Sequence, residues 1–371
     1  MSKVPDVKVH SARVQRARDA MAAAGVDALI LSVGSDLPWL TGYHAMPLER
    51  LTLFILPRQG TATLVIPRLE APRVTPMPGV FEIAPWNETD DPIALSSTLL
   101  AGASVVAVGE QMWSRFLVDL VNARPGTRWV RSNVVMSDLR MRKDDAEVAL
   151  LAAAAAAADR VAAQLHAGKI PLVGRTEAQV SADISARLIA EGHDKVNFAI
   201  VAAGENAASP HHHPGDRVIK KNEIVLCDFG GTMDGYCSDI TRCVHTGPIP
   251  SDIAEAYAVL MKAQAAGVTA GREGETCESV DSVTRSVIAD AGYGEWFVHR
   301  TGHGIGMEEH EDPYMVSGNV HPIAAGHAYS VEPGIYIPGR WGMRLEDIVV
   351  ATPQGPRALN HADHNLVVVD C

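Results

Sequence analysis

HRTGHGIGMEEHEDPY, residues 299–314, is the stretch around which we expect the rest of this chain to fold. It holds His303 between glycines, and two short stretches that follow, SVEPGIY (330–336) and GMRLED (342–347), add Glu332 and Glu346. Glycine and proline set unusual backbone geometry and let other groups come close. An imidazole and two carboxylates in such surroundings are candidate metal ligands.

A second stretch, IVLCDFGGTMDGYCSDITR (224–242), contributes Asp228 and Asp239. The turn-forming residues between them predict a strand–turn–strand that brings the two aspartates together. Four carboxylates and one imidazole suit Mn, Co, Fe or Zn, and two divalent cations would balance the four negative charges. Alternatively, both aspartates are ordinary turn or surface acids. Asp239 lies in an apolar strand pattern, where an unpaired carboxylate is costly, which favours a ligand role.

The single residues of these stretches also have structural interpretations that involve no metal or substrate. His303 taken alone is more typical of a structural or surface histidine, but its glycines indicate a backbone held tightly against another segment. His310 is either a substrate-facing group or a solvated loop histidine. Glu332 precedes a Pro-Gly pair, so a hairpin is predicted to set it beside Glu346. Arg344 is a substrate-binding candidate, or it pairs with a ligand carboxylate.

A histidine cluster occurs in SPHHHPGDR (209–217). Such a cluster is either a metal-binding tract or a solvated loop. His211 directly follows a proline and precedes Asp228, so we expect it to face the same cleft.

Composition limits the classes of function. The chain has 371 residues, 47% hydrophobic and 20% charged, which fits a globular protein of two domains. A net charge of −12 without a Lys/Arg run argues against nucleic-acid binding. No signal-peptide core or long apolar run is present, so no membrane partner is expected. The odd number of cysteines without CxxC spacing predicts reduced thiols and a cytoplasmic location; they are Cys227, Cys237, Cys243, Cys277 and Cys371.

The first part of the chain, residues 1–138, predicts an α/β domain. Helices are expected at 11–24, where Gly25 ends the pattern, and at 112–123. Strands are expected at 26–33, 51–57, 61–67 and 104–110, the middle two as a hairpin-like pair.

The second part, residues 139–371, mixes strands with covering helices. Asp144 or Asp145 is expected to begin a helix that runs through an alanine block to about residue 165. Thr176 and Gln179 form a capping-box pattern that starts the next helix. Further elements are predicted as helices at 252–266 and 277–291 and strands at 196–203 and 223–230. The regular βαβ repeat of a doubly wound sheet is missing, so the fold class is α+β.

These motifs, in this order, resemble the pita-bread metallopeptidase family, which includes methionine aminopeptidase, aminopeptidase P and prolidase. The resemblance extends over nearly the whole chain, and the N-terminal domain resembles the creatinase-type domain of the proline-specific branch. The short spacing in sequence between Glu332 and Glu346 resembles that of a bacterial Xaa-Pro dipeptidase (prolidase). The resemblance implies two divalent metal ions, with Mn first and Co, Zn or Fe as alternatives, bound by Asp228, Asp239, His303, Glu332 and Glu346.

The resemblance also implies a function. A hydroxide bridging the metals would hydrolyse the bond before proline in Xaa-Pro dipeptides or short peptides, with His211, His310 and Glu332 as catalytic residues. His299 falls where the proline-specific branch often has a histidine, which makes it a substrate-binding candidate with Arg344. Arg300 and Arg340 are further cations that would bind the C-terminal carboxylate of a dipeptide. Relatives are commonly homodimers, so a homodimer is expected.

Other functions remain open on the same scaffold. One is an Xaa-Pro aminopeptidase that acts on longer peptides and needs no anchor for a carboxylate. Another is a creatinase-like relative, although such relatives typically lose metal ligands and this chain keeps all five. A silent binding module, a dinuclear-metal lyase and a phosphotriester hydrolase are the remaining alternatives.

Overall fold

The computed structural model describes residues 6–369 and divides the chain into two compact units, residues 1–140 and 141–371. The boundary predicted from the sequence lies between residues 138 and 139. Cys371 and its predicted reduced thiol lie outside the described residues.

The first unit contains one six-stranded mixed sheet with helices, in the strand order β4-β3-β2-β1-β5-β6. Its strands are β1 (Ala28–Leu31), β2 (Leu53–Pro57), β3 (Ala62–Pro67), β4 (Phe81–Trp86), β5 (Val105–Val108) and β6 (Arg128–Arg131). Its helices are α1 (Val7–Ala24), α2 (Asp36–Thr41), α3 (Pro92–Leu99), α4 (Ser114–Ala123) and α5 (Asn133–Met141), which crosses the boundary. The predicted antiparallel pairing of β2 with β3 is present.

The ends of α1 follow from its caps. Asp6 accepts a hydrogen bond from the Lys8 backbone N–H, which starts the helix one turn before the predicted residue 11. Gly25 ends it with a φ of 66°, a left-handed conformation that favours glycine.

The second unit combines two five-stranded sheets, one two-stranded hairpin and four helices within the described residues. The helices are α6 (Asp145–His166), α7 (Glu177–Ala190), α8 (Ser251–Ala270) and α9 (Cys277–Asp290). The strands are β7 (Lys195–Ala203), β8 (Ile224–Met233), β9 (Tyr236–Cys237), β10 (Ile240–His245), β11 (Gly302–Gly304), β12 (Glu311–Met315), β13 (Ala328–Val331), β14 (Gly334–Ile337), β15 (Trp341–Arg344), β16 (Asp347–Thr352), β17 (Gly355–Ala358) and β18 (Val367–Val368).

The sheets of this unit bring distant segments together. One has the order β18-β10-β8-β7, with β9 on β8, and the other β12-β11-β13-β16-β17. The hairpin is β14–β15. The predicted capping box of Thr176 with Gln179 forms on α7. Asp144, one of the two residues expected to begin α6, is its N-cap and forms a second capping box with Glu147, which the sequence analysis does not predict. The predicted α+β class is confirmed.

The alanine block makes α6 an apolar helix of small side chains. Its buried residues include Ala154, Ala155, Ala157 and Ala158. Ala158 belongs to a core that includes β8, and Ala155 belongs to a second core with β9 and β16. By length and composition α6 would be able to cross a membrane, but half of its apolar stretch is buried inside the protein, as in the core helices of soluble proteins.

The four described cysteines, Cys227, Cys237, Cys243 and Cys277, are free and buried. This confirms the predicted reduced thiols for these four residues; the compartment stays a prediction.

The glycines around His303 lie against backbone, as the sequence predicts. A Cβ on Gly302 would lie 1.8 Å from the Ser330 carbonyl oxygen, and one on Gly304 would lie 2.2 Å from the Asp312 carbonyl oxygen. Real side chains cannot occupy such positions, so β11 packs between its neighbours only because these residues lack a Cβ.

We predict that Gly302→Ala destabilises the second unit by about 1–3 kcal/mol or more, because the backbone must shift to admit the methyl group. The measurement is urea unfolding of the metal-free chain, followed by circular dichroism. Gly126→Ala is the control, since its Cβ meets nothing within 4 Å. Equal midpoints for the two variants would contradict the close packing of β11.

Candidate active site

A cavity of about 530 Å³ in the second unit brings together residues from the histidine cluster and from each of the motif stretches. Its lining is Phe198, Ile200, Pro210, His211, Asp228, Asp239, His299, Arg300, His303, Glu309, His310, Glu332, Arg344 and Glu346. The predicted metal ligands and catalytic histidines are all in this set, together with His299, Arg300 and Arg344, whereas Arg340 is not.

Asp228 and Asp239 reach the cavity from one sheet. Asp228 is on β8 opposite Thr241 of β10, and Asp239 immediately precedes β10. The strand–turn–strand expected between them therefore forms. Asp228 Oδ1 is buried and has no hydrogen-bond partner, which is costly for a carboxylate oxygen unless a cation binds it.

His303 presents one ring nitrogen to the carboxylates. Its Nδ1 lies 3.0 Å from the Gly304 carbonyl oxygen and donates to it in the Nδ1-protonated tautomer. Nε2 then faces Asp239 Oδ2 at 3.7 Å and Glu332 Oε1 at 3.3 Å. Such a second hydrogen bond commonly orients a metal-ligating imidazole.

Glu332 and Glu346 flank the base of the β14–β15 hairpin. Leu345 N–H donates to the Pro333 carbonyl oxygen at 3.3 Å, which closes the base. Glu346 accepts from Thr241 Oγ1 at 2.7 Å, and Glu332 accepts from Ser330 Oγ at 3.1 Å. The hairpin thus sets the two glutamates side by side, as its sequence predicts.

The electrostatics of the cluster favour bound cations. Burial raises the pKa of Asp239 and of Glu346 well above the ordinary values, and the neighbouring carboxylates raise them further. Burial, with a contribution from Asp228, raises the pKa of Glu332 to about 7. Potential ligand atoms of Asp239, His303 and Glu346 all lie within 4.8 Å of one another. An oxygen-rich set with one imidazole and an unpartnered Asp228 oxygen fits divalent metal ions.

Arg344 is fully engaged with neighbours at the cluster. Its Nη2 donates to Asp228 Oδ2 at 2.5 Å and its Nε to Thr241 Oγ1 at 3.1 Å. Its Nη1 donates to Tyr336 Oη at 2.7 Å and to the Pro210 carbonyl oxygen at 3.4 Å. The guanidinium therefore pairs with a candidate ligand, which was the alternative to substrate binding.

His299 is linked to this arginine through the hydroxyl group of Tyr336. Tyr336 O–H donates to its Nε2 at 2.9 Å, and Nδ1 donates to the Arg300 carbonyl oxygen at 2.7 Å. Burial, with the nearby Arg344 charge, lowers the pKa of His299 to about 3. A neutral imidazole with both nitrogens occupied links Tyr336 to the cavity wall.

The outer part of the cavity carries groups with fewer partners. The ring of His310 lies 3.9 Å, between centroids, from that of His303. Arg300 stacks over Tyr314 and lies 3.3 Å from His310 Nδ1, and no ion pair of Arg300 occurs among residues 6–369. Phe198 and Ile200 of β7 form an apolar wall.

The three clustered histidines have different surroundings. His211 lines the cavity, whereas His212 Nε2 lies 2.7 Å from Glu177 Oε2. His213 is exposed. Arg340, a third candidate for binding a carboxylate, pairs with Asp252 at 2.8 Å and does not line the cavity.

Sequence reasoning missed several residues that support the site. Thr241 has a signal in retrospect, because it is two residues from Asp239 near the start of β10, so the strand period brings both to one face. Tyr336 and Ser330 have no comparable signal. Arg242 is fully buried and donates to the Glu346 carbonyl oxygen at 2.7 Å and to Asp347 Oδ1 at 2.7 Å.

Two family models match the chain. The Creatinase/Prolidase N-terminal domain matches residues 13–142, and Metallopeptidase family M24 matches residues 149–353. The chain is 43% identical over 369 residues to a probable dipeptidase PepE of Mycobacterium bovis. This alignment covers 98% of each of the two proteins.

Solved structures agree with this match. The dipeptidase PepE of Mycobacterium ulcerans has a TM-score of 0.94 at 44% identity, and the superposition covers 99% of this chain and 100% of that chain. The recombinant prolidase of Thermococcus sibiricus has a TM-score of 0.90 at 32% identity and covers 99% and 100%. The resemblance read from the motifs is confirmed: this chain belongs to metallopeptidase family M24, with a creatinase/prolidase N-terminal domain ahead of its pita-bread domain.

Proposed function

We propose that this peptidase hydrolyses the bond before proline in Xaa-Pro dipeptides with the help of two divalent metal ions. The observation that carries the proposal is the convergence of four carboxylates and the His303 imidazole on one cavity. The similarity to proteins described as a dipeptidase and a prolidase supports the choice of substrate.

The proposed ligands are Asp228, Asp239, His303, Glu332 and Glu346. These residues would hold divalent cations, which would supply a water-derived nucleophile at neutral pH and Lewis acidity toward the scissile carbonyl. Two such cations offset four carboxylate charges, and without them the neighbouring carboxylates contribute to the raised pKa values of Asp239 and Glu346. Mn is the metal proposed first, with Co, Zn or Fe as alternatives.

Glu332 is the proposed proton carrier. Positive charge nearby lowers the pKa of a carboxyl group, so Glu332 is a carboxylate when cations are present. It would accept a proton from the attacking water and return it to the leaving proline nitrogen.

His211 and His310 are proposed to hold the substrate. Both line the cavity. His211 would donate a hydrogen bond to the oxygen on which negative charge develops, and His310 would bind the substrate main chain. Since the proline nitrogen of an Xaa-Pro bond carries no hydrogen, these contacts must be made to the carbonyl and the amino end. His299 would act through Tyr336 on the shape of this wall.

Arg300 is the proposed anchor for the carboxylate of a dipeptide, in place of Arg344. Arg344 already donates to Asp228, Thr241 and Tyr336, whereas the described residues hold no ion-pair partner for Arg300. A cation at this position favours a short substrate with a free C-terminus. The homodimer and the cytoplasmic location stay predictions.

We predict that a chelator abolishes hydrolysis and that added Mn²⁺ or Co²⁺ restores it.

The metal-free chain should also lose stability as pH rises. The raised pKa of Glu332 means that its protonated form stabilises the fold below about pH 4, and this contribution disappears as pH passes about 7. The thermal midpoint should therefore fall between pH 5 and pH 8, and Mn²⁺ should raise it more at pH 8.

Asp239→Asn tests the ligand set directly, with the exposed Asp290→Asn as its control for charge. Elemental analysis should find fewer metal ions per chain in Asp239→Asn and an unchanged content in the control. Full activity of chelated, metal-free protein, or normal metal content in Asp239→Asn, would contradict the dinuclear site.

His211→Ala should lower kcat by roughly 100-fold or more, the scale of losing one hydrogen-bond donor in a transition state. The exposed His213→Ala should leave kcat unchanged. Steady-state kinetics on an Xaa-Pro dipeptide provides the measurement, and equal effects from the two variants would contradict the assignment of His211.

Length of substrate separates a dipeptidase from an aminopeptidase. Xaa-Pro dipeptides should be cleaved faster than Xaa-Pro-Yaa tripeptides, and amidation of the dipeptide should reduce kcat/KM because the anion for Arg300 is lost. Arg300→Gln should lower kcat/KM for the free dipeptide roughly 10- to 100-fold, the value of a charged hydrogen bond, and should remove most of the difference from the amide.

Arg340→Gln is the matched control, because Arg340 pairs with Asp252 outside the cavity lining. Faster cleavage of tripeptides would instead favour an Xaa-Pro aminopeptidase with the same metal site.

A further inference from the structure

Glu177, the first residue of α7, is a fully buried carboxylate that does not line the cavity. Glutamate is rarely buried without a partner, because removal of a charge from water is costly. The N-terminus of α7 favours a negative charge at this position. The remaining cost must be offset by hydrogen bonds.

The donors to Glu177 come from one segment, residues 203–215. Ala203 N–H donates to Oε1 at 2.9 Å, and the Asn206 side-chain amide donates to the same oxygen at 3.1 Å. His212 Nε2 lies 2.7 Å from Oε2, and Gly215 N–H lies 3.5 Å from it. This segment also carries His211.

The segment has little regular structure of its own. It begins as a short 3₁₀ helix at Gly204–Ala208 and continues through a loop with two prolines. Its far side contacts Arg344, which also pairs with the candidate ligand Asp228, because the Pro210 carbonyl oxygen accepts from Arg344 Nη1 at 3.4 Å. The loop is therefore held between Glu177 on one side and Arg344 on the other.

Two adjacent histidine side chains of this loop extend to opposite sides of it. His211 lines the cavity, whereas the next side chain reaches the buried carboxylate. When His212 is anchored, the backbone on its N-terminal side has a defined orientation, and so does the Cα–Cβ bond of His211. Loss of the anchor would leave the metal-ligand candidates in place and displace His211.

We propose that Glu177 and His212 are positioning residues, which hold His211 in the cavity in the orientation that hydrolysis requires. The inference rests on the proposed function of His211. Neither residue touches the substrate cavity, so they act through the loop. A displacement of about 1 Å in a group that contacts the transition state is able to cost about 100-fold in rate.

The test uses Glu177→Gln and His212→Ala in the metal-loaded, full-length protein. Both should lower kcat by roughly 10- to 100-fold for an Xaa-Pro dipeptide, with metal content unchanged and KM changed by less than about 2-fold. His212→Gln should recover much of the rate, because its amide provides a donor to Glu177. His213→Gln is the control for the loop and should behave as the unsubstituted chain.

A double-mutant cycle separates positioning from general weakening of the fold. In a chain that already carries His211→Ala, Glu177→Gln should cost less than about 2-fold more in kcat, because its effect passes through the missing imidazole. If Glu177→Gln fails to fold, His212→Ala takes its place in the cycle. Multiplication of the two single effects would overturn the inference, and so would normal turnover of His212→Ala.

The outcome for His211→Ala alone distinguishes the two proposals. Normal turnover of that variant would contradict the catalytic assignment of His211 and this inference with it. Impaired His211→Ala beside a fully active His212→Ala would reject only the positioning role.

Discussion

Mutual repulsion among the carboxylates of the cavity is the constraint on which the second unit depends. Asp239 and Glu346 are buried beside Asp228 and Glu332, whose negative charges raise the cost of ionising these two groups. Two regions far apart in the chain supply these groups, one with Asp228 and Asp239 and the other with Glu332 and Glu346. Protonation or added positive charge must offset this repulsion, and family M24 peptidases use divalent metals.

Arg344 provides one part of that charge from within the protein. It is almost completely buried and donates to Asp228, so an aspartate oxygen is already satisfied while the other has no partner. Burial lowers the pKa of Arg344, but Tyr336 and the neighbouring carboxylates outweigh that effect and raise this pKa well above the ordinary value. One guanidinium in contact with a cluster of four carboxylates leaves an excess of negative charge, which favours the binding of cations in the cavity. Arg242 stabilises the same region by donating a hydrogen bond to the backbone carbonyl oxygen of Glu346.

The convergence of the candidate ligands on one cavity was predictable because each of them lies in a short motif with turn formers beside it, and such turns can be predicted from sequence. The contact of Arg344 with Asp228 was not, since it joins β15 to β8 and only the assembled unit brings them together. For the same reason Tyr336 and Glu177 carried no signal. In the first unit, β6 reads RWVR with exposed ends, which lacks the apolar run of a buried strand, and it was missed.

The small side chains of α6 have a consequence for the distance between layers. A helix that presents methyl groups to a sheet can approach it more closely than one with larger side chains, so little side-chain volume separates the two layers at those positions. Such a contact cannot absorb a larger residue through a change of rotamer. Replacement of Ala158 by leucine would therefore push α6 away from β8 as a rigid body, and the displacement would be transmitted along the strand to Asp228.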